Sequence, residues 1–149
     1  MAVTQRTMMR VERLQAGNEA QLAAFLPIFA DEPAASAQPN FLSNPLNYFL
    51  AAYLDNEPAG CLYGYELQQP GSPRPLFFLY SIDVLEPFRR QGLARALIAS
   101  FSDLCQQRNG AEVFVLSEGD NRPAINLYKS TGGQREGNQT ILFVYAFED

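Results

Sequence analysis

The sequence Arg89-Arg-Gln-Gly-Leu-Ala94 joins a strand-like run to a long helical pattern, and it decides the fold of this chain. Residues 76–85 before it are rich in aromatic and β-branched side chains, which is typical of a strand. After it, apolar residues recur at the spacing of one helical face, at Leu93, Leu97, Ile98, Phe101 and Leu104. The pattern therefore predicts a strand-to-helix turn at residues 89–94.

A turn of this kind can hold an anion. The first N–H groups of a helix lack intrahelical partners, and the positive end of the helix dipole lies there. Gly92 allows the backbone to approach a ligand closely, and Ala94 keeps the next turn thin. Arg89, Arg90 and Arg95 add cationic side chains at the same end. The motif therefore predicts a phosphate-binding helix start.

The composition indicates a globular protein with one domain over residues 1–149. A chain of this length buries roughly two thirds of its unfolded surface, and no apolar run approaches the roughly 20 residues of a membrane-spanning helix. The N-terminus lacks the basic-then-apolar layout of a signal peptide, so we expect a cytoplasmic protein without membrane contact. Cys61 and Cys105 lie far apart in apolar surroundings, and we expect both to be buried free thiols.

The chain contains no histidine, which excludes Ser/His and Cys/His dyads and disfavours a catalytic zinc site. We therefore expect no metal. Sixteen acidic and eleven basic side chains give a net charge of −5. A field of that sign repels nucleic acid and attracts a cationic ligand.

The remaining pattern predicts an α/β protein with a mixed sheet. In chain order we expect first a strand at Arg6 to Leu14, then a helix capped by Asn18 with Leu22, Phe25, Leu26 and Phe29 on one face, a loop over 31–38 and a short helix at 41–46. Three strands follow at 48–54, 59–67 and 76–85, and after them a helix at 91–107, a strand at 112–117 and a helix at 122–130. The last predicted element is a strand pair that turns near Gly137-Asn138 and includes residues 141–145. Turn-forming residues separate these elements at 55–58, 69–75 and Asn109-Gly110. The acidic pair Asp31 and Glu32 is expected to be a solvated start of its loop.

This order of elements, together with two motifs, resembles the Gcn5-related N-acetyltransferase (GNAT) superfamily. The first motif is [Q/R]-x-x-G-x-[G/A], met by Arg89, Gly92 and Ala94 after a strand that ends in Val84. The second is the block 117–132, which is similar to the family's N-x-x-A-x-x-x-Y-x-x-x-G helix. The resemblance covers most of the chain. It implies a single-domain fold with a sheet of six to seven strands, about four flanking helices, and a splay between the fourth and fifth strands.

The resemblance also implies acetyl-CoA as a cosubstrate. Its pyrophosphate would bind at the helix start, on Arg89, Arg90, Gln91, Gly92, Leu93 and Ala94. Its pantetheine arm would lie against the backbone of Ile82 and Val84, where an N–H group polarises the thioester carbonyl. By the second motif, Tyr128 protonates the departing CoA thiolate, although a tyrosine on an amphipathic helix is also a common packing residue. Asn121 either contacts the pantetheine arm or caps its helix.

A closer resemblance, to the aminoglycoside 3-N-acetyltransferases, implies a polycationic acceptor. It is carried by residues 67–80 with Pro73-Arg74, 89–98 and 123–128, and by Gln38-Pro39 with Leu42 and Asn44. In that reading Glu118 accepts a proton from the substrate ammonium or binds a neighbouring ammonium, whereas its alternative is a solvated loop carboxylate. Further candidates for acceptor binding are Glu66, Asp83 and Asp120. Analogy with the family, and the aromatic final strand, suggest a homodimer.

Two features depart from the family and leave other acceptors open. Gly132-Gly133 stands where the family has Gly-Phe or Gly-Ile, and the turn at 137–140 is long. The alternatives are the same chemistry on a polyamine, an amino acid or a protein N-terminus, and a non-catalytic acyl-CoA-binding module. Tyr128 argues against the last of these.

Overall fold

The computed structural model of the chain describes residues 7–30, 36–137 and 139–147. The chain divides into two compact units, Met1–Leu116 and Ser117–Asp149. Within the described ranges, none of the helices combines the length and apolar character that crossing a membrane would need.

The first unit is built on a five-stranded mixed sheet in the order β1-β2-β3-β4-β5. The strands are β1 Met9–Leu14, β2 Asn47–Leu54, β3 Glu57–Gln69, β4 Ser72–Val84 and β5 Glu112–Val115. The first four pair antiparallel with their neighbours, and β5 runs parallel to β4. The helices of this unit are α1 Glu19–Ala24, α2 Leu26–Phe29 and α3 Leu93–Gln107, with a 3₁₀ turn at Glu86–Phe88. Since parallel strands need a long crossover, α3 forms the link from β4 to β5.

The sheet of this unit separates two hydrophobic cores. On one face, the apolar side of α3 packs on alternate residues of the central strands, including Tyr48, Leu50, Leu62 and Phe77. On the other face, α1 and α2 pack on the intervening residues, including Phe49, Ala51 and Cys61. The alternation follows from the two-residue period of a strand.

A β-bulge at Tyr80 changes which residues of β4 face which core. Gly64 of β3 lies opposite Leu79, and the preceding Tyr63 lies opposite Ser81, so Tyr80 has no partner of its own. Up to the bulge, the odd-numbered Phe77 and Leu79 face α3, and after it the even-numbered Ile82 and Val84 do so. The bulge needs glycine on the neighbouring strand, because a Cβ at position 64 would overlap the carbonyl oxygen of Phe78.

The pairing of β4 with β5 is short. It runs from Leu76 opposite Glu112 to Leu79 opposite Val115, and it stops where the bulge begins. Residues 81–84 of β4 continue beyond the end of β5 and pair on one side only, with β3, in the part of the chain that the structure describes. The splay of the two strands stays a prediction.

Several predicted elements match the structure. The helices predicted at 91–107 and 122–130 are α3 and α4, the latter being Arg122–Ser130 of the second unit. The predicted turn between β2 and β3 is a two-residue hairpin in which Asp55 and Asn56 have φ of 50° and 66°. Cys61 and Cys105 are buried and free, and desolvation raises the pKa of each thiol to about 12.

Other predictions are corrected. The helix predicted from Asn18 to Phe29 is two helices, and the Asn18 carboxamide accepts a hydrogen bond from Gln15 N–H instead of capping α1. The helix predicted at 41–46 is a series of turns, because the residue before Pro45 is disfavoured in the helical region.

The predicted sheet of six to seven strands is wrong for the described residues, which form five strands, and residues 139–147 contain none. Arg6, Asp31, Glu32 and Asn138 lie outside the described residues.

Candidate active site

The start of α3 has the geometry of an anion-binding helix terminus. Gly92 occupies the N-cap position with φ of 86° and ψ of 9°, and no described side chain caps the helix. The first intrahelical hydrogen bond runs from Ala96 N–H to the Gly92 carbonyl at 3.0 Å. The N–H groups of the first turn therefore point outward at the positive end of a 15-residue helix.

The residues before Gly92 surround this helix start. Arg90 has φ of 64°, a left-handed conformation that is uncommon outside glycine. Arg89, Arg90 and Gln91 are exposed, whereas the Leu93 side chain is buried in the core under α3, so Leu93 offers only its backbone to a ligand.

The end of β4 presents backbone groups away from β3. Leu85 N–H donates to the Ala59 carbonyl at 2.9 Å, so these two residues form a hydrogen-bonded pair. Bonded and non-bonded pairs alternate along an antiparallel ladder, so Ile82 and Val84 belong to non-bonded pairs. Their N–H and C=O groups therefore point to the opposite side, beyond the end of β5. One of these groups has a partner, because Arg89 Nε donates to the Val84 carbonyl at 3.0 Å.

That hydrogen bond joins the two predicted cofactor segments. It connects the loop of the helix start to the last residue of β4, so the structure brings residues 82–84 and 89–94 together in one region.

Asp83 lies between Ile82 and Val84 but faces the other core. It stands opposite Cys61, whose side chain belongs to the core under α1 and α2. Asp83 is exposed, and the Ser81 hydroxyl donates to its Oδ2 at 3.1 Å. Its carboxylate therefore projects beside the end of β4, on the face opposite to α3.

The same face contains an aromatic-lined cavity of about 200 Å³. Five aromatic side chains line it: Phe29, Phe41, Phe49, Tyr63 and Tyr65. Desolvation raises the pKa of Tyr63 and of Tyr65 above the ordinary value of 10.0, and neighbouring tyrosines add to the effect. Both phenols are therefore neutral at physiological pH.

The structure contradicts the prediction that Glu66 binds the acceptor. Its side chain is only 3% exposed, and its Oε1 accepts hydrogen bonds from Arg108 Nη2 at 3.1 Å and Nε at 3.3 Å. The Tyr48 hydroxyl donates to Oε2 at 3.4 Å. Arg108 caps the C-terminal end of α3, the end opposite to Gly92. Glu66 faces α3 because Gly64 and Leu62, two and four residues earlier, face it too, and its charge is neutralised there.

The second unit contains the other predicted site residues. Asn121 caps α4, since its Oδ1 accepts a hydrogen bond from Ala124 N–H at 3.2 Å. The capping alternative for this residue is therefore confirmed. Tyr128 lies half-buried in the last turns of the helix.

The glycine pair after α4 has a local explanation. Gly132 has φ of 99°, and a Cβ on Gly133 would lie 2.8 Å from the Tyr128 carbonyl oxygen, to which Gly133 N–H donates at 2.8 Å. The family's usual bulky residue would meet that carbonyl, so the second glycine lets this turn close tightly behind the helix.

Glu118 and Asp120 lie in the turn before α4. Both are exposed, and their backbone carbonyls accept hydrogen bonds from Asn121 N–H at 3.1 Å and Arg122 N–H at 3.0 Å respectively. These hydrogen bonds fix the backbone of the turn, while the carboxylates of Glu118 and Asp120 are exposed to solvent.

No local pattern in the sequence predicts the aromatic cavity. Tyr63 and Tyr65 were visible as alternate residues of one strand, which places them on one face. Their meeting with Phe41 and with Tyr80 depends on a loop and on the bulge, and neither leaves a periodic signal.

Comparisons with known proteins agree with this geometry. Residues 14–132 match the family described as the acetyltransferase (GNAT) family. A 53-residue segment is 45% identical to an N-alpha-acetyltransferase of Sulfurisphaera tokodaii; the match covers 35% of this chain, and the chain spans about a third of that relative's length, 32%.

Two solved structures share the fold. An aminoglycoside acetyltransferase from an uncultured soil metagenomic sample, solved in complex with trehalose, is 25% identical with a TM-score of 0.85, over 94% of this chain and 97% of the other. An aminoglycoside N-acetyltransferase in complex with CoA is 16% identical with a TM-score of 0.78, over 97% and 99% of the two chains.

Proposed function

Because the chain belongs to the GNAT acetyltransferase family, we propose that it transfers the acetyl group of acetyl-CoA to an amine of an aminoglycoside, at the 3-N position. One observation carries the proposal. The glycine-started helix α3 and the outward-facing backbone of Ile82 and Val84 lie side by side, joined by the hydrogen bond from Arg89 to Val84.

The chemistry of acetyl-CoA fits these two features. A pyrophosphate needs N–H donors and positive charge, and the start of α3 supplies both, with Arg89, Arg90 and Gln91 around it. The pantetheine arm carries two amides, which need partners when they leave water. The Ile82 and Val84 backbone offers such partners in an extended conformation, as a neighbouring strand would.

The reaction is an acyl transfer. The amine nitrogen forms a bond to the thioester carbonyl carbon, and the carbon–sulfur bond then breaks. In the proposal the Val84 N–H stabilises the negative charge that develops on the carbonyl oxygen. Tyr128 gives its proton to the CoA thiolate, and Glu118 takes a proton from the substrate ammonium, directly or through water. Asn121 contributes by fixing the start of the helix that carries Tyr128.

Charge and similarity support the aminoglycoside acceptor. A net charge of −5 attracts a polycation. Asp83, Glu118 and Asp120 are exposed, and the proposal assigns ammonium groups of the acceptor to their carboxylates. The structural relative at 25% identity is an aminoglycoside acetyltransferase. A homodimer belongs to the same proposal, supported by the apolar composition of residues 141–145. Analytical ultracentrifugation tests it.

A protein N-terminus is the second candidate acceptor. It is favoured by the segment that is 45% identical to an N-alpha-acetyltransferase. Thiol release from acetyl-CoA, measured with aminoglycosides, polyamines and short peptides, separates the two acceptors. A protein that binds CoA and releases no thiol with any amine would be the binding module instead.

The Tyr128→Phe variant tests the mechanism. We expect kcat to fall by roughly 10²-fold, the usual scale of general acid catalysis, with the KM for acetyl-CoA unchanged. Tyr145→Phe, in the same unit, is the matched control. An unchanged kcat for Tyr128→Phe, where product release does not limit turnover, would reduce Tyr128 to a packing residue.

A further inference from the structure

The face of the sheet opposite to α3 carries a continuous cluster of aromatic rings next to the proposed active site. Tyr63 and Tyr80 stack with their ring centroids 5.5 Å apart, and Tyr65 meets Tyr80 edge-on at 6.0 Å. Phe41 contacts both Tyr63 and Tyr65 at 6.1 Å. Tyr80 is 57% exposed although it is a large aromatic residue. The cluster therefore extends from the core to the surface as a set of ring faces and edges.

The cavity beside this cluster has room for one ring. Its volume is about 200 Å³, and a cavity of about 150 Å³ suffices to bind benzene. Among its described lining residues, the non-aromatic polar side chains are Ser36 and Gln38, and none is charged. The cavity therefore suits the uncharged, apolar face of a ligand ring.

A carboxylate stands close to the cluster on the same face of the sheet. Asp83 is three residues from Tyr80 along β4, about 10 Å in an extended strand. Ser81 lies between them and orients the carboxylate through its hydroxyl. The backbone of Ile82 and Val84, which the proposed function assigns to the thioester arm, belongs to the same few residues. An acceptor bound on the aromatic cluster thus lies along the same strand as the reacting end, with Ile82 and Val84 two and four residues from Tyr80.

We propose that the aromatic cavity binds the apolar face of a six-membered ring of the acceptor while Asp83 binds an ammonium group on the same molecule. The enzyme then selects amines carried on rings, such as amino sugars and aminocyclitols, over linear polyamines. This inference rests on the proposed function and names the feature of the substrate that the site recognises.

The proposed selectivity for ring-borne amines depends on two kinds of contact, an apolar contact with the ring and an electrostatic contact with the ammonium groups. A sugar or cyclitol ring has an apolar C–H face, and its contact with Tyr63 and Tyr65 removes apolar surface from water. Ammonium groups at the ring edge reach Asp83 or the face of the exposed Tyr80. A linear polyamine makes the charge contacts but has no ring to place in the cavity, so it gains only part of the binding free energy.

The test uses Tyr65→Leu, which removes the ring, and Tyr65→Phe, which keeps it and removes only the hydroxyl. KM and kcat are measured for a 2-deoxystreptamine aminoglycoside, for spermidine and for acetyl-CoA. We expect the parent to favour the aminoglycoside, and Tyr65→Leu to raise its KM at least fivefold while the KM for spermidine and for acetyl-CoA stay within twofold. Tyr65→Phe should restore the parent value. Equal efficiency of the parent on both amines, or equal effects of Tyr65→Leu on both, overturns the inference.

Two further measurements keep the inference separable from the proposed function. Phe41→Leu changes a half-buried residue that lines the cavity, and it repeats the test should Tyr65→Leu fail to fold. Calorimetric binding of the aminoglycoside in the presence of CoA requires no turnover. Binding that weakens in Tyr65→Leu and in Asp83→Asn supports the ring site even in a protein that acetylates nothing, which would refute only the proposed function. Binding unaffected by either substitution refutes the ring site.

Discussion

Replacing Gly92 by alanine should separate the anion-binding role of the helix start from its contribution to stability. Gly92 has φ of 86°, and an added Cβ meets only Met9 Cε within 4 Å, at 3.8 Å. The substitution therefore costs little through crowding. It costs about 1–2 kcal/mol through the left-handed backbone conformation. For a chain of this size that corresponds to a melting temperature lower by about 2–8 °C.

Gly17→Ala is the matched control for this substitution. Gly17 has φ of 98°, and a Cβ there meets nothing within 4 Å, so the backbone strain is of the same kind. Gly17 lies between β1 and α1, outside the segment 89–94. Both variants should lose similar thermal stability, measured by circular dichroism or calorimetry.

Only Gly92→Ala should lose affinity for CoA. We expect its Cβ to hinder the close approach of a ligand to this helix start, where a phosphate oxygen must come within about 3 Å of the N–H groups. Loss of one charge-assisted hydrogen bond costs about 1.5–3 kcal/mol, which is roughly a tenfold or greater increase in Kd. Isothermal titration with CoA measures it. If folded Gly92→Ala binds CoA as tightly as Gly17→Ala, the assignment of the phosphate site to this helix start is wrong.

Three further predictions concern other parts of the chain. Glu118→Gln should raise the KM for an aminoglycoside and lower kcat/KM more than tenfold, which corresponds to about 1.4 kcal/mol. The KM for acetyl-CoA should stay unchanged in the same steady-state assays. An equal loss of kcat/KM with a neutral amine would contradict a role for the charge of Glu118. Gly64→Ala should destabilise by about 1–3 kcal/mol in urea unfolding, because its Cβ overlaps a carbonyl of β4, while Gly71→Ala, with open space, should not. Burial raises the pKa of Cys61 and of Cys105 to about 12. The stability that the two neutral thiols contribute is therefore intact below the pKa of the unfolded chain and declines as the pH rises from about 9 towards 12. Urea midpoints that stay flat across this pH range would refute the prediction, as would rapid alkylation of the native thiols at pH 8.

The sequence was most informative where a local signal and a periodic pattern coincided. The apolar spacing from Leu93 to Leu104 predicted α3, and the glycine before it is the N-cap residue of that helix. Asn121 was a good helix cap by residue type alone, and it caps α4. These elements depend on residues close in the chain, which is why one sequence suffices to find them.

Tertiary contacts decided the features that the sequence did not predict. Glu66 looked like a free carboxylate on an apolar strand, but its partner Arg108 is 42 residues away. The aromatic cavity is lined by residues from the helices α1 and α2, from the loop that precedes β2, and from the strands β2 and β3, so no window of sequence contains it. The final strand pair was predicted from composition, and composition does not supply a neighbouring strand.

The bulge at Tyr80 is a point where β4 can lose a residue without exchanging its two faces. Tyr80 is the extra residue, since Leu79 lies opposite Gly64 and Ser81 lies opposite Tyr63. Without it, Ser81 would follow Leu79 in the regular alternation of a strand, so Asp83 would keep its place on the side of the aromatic rings and Ile82 and Val84 would keep theirs beneath α3. A shortening of the chain at this position is therefore expected to straighten the strand and to leave the order of its side chains as it is.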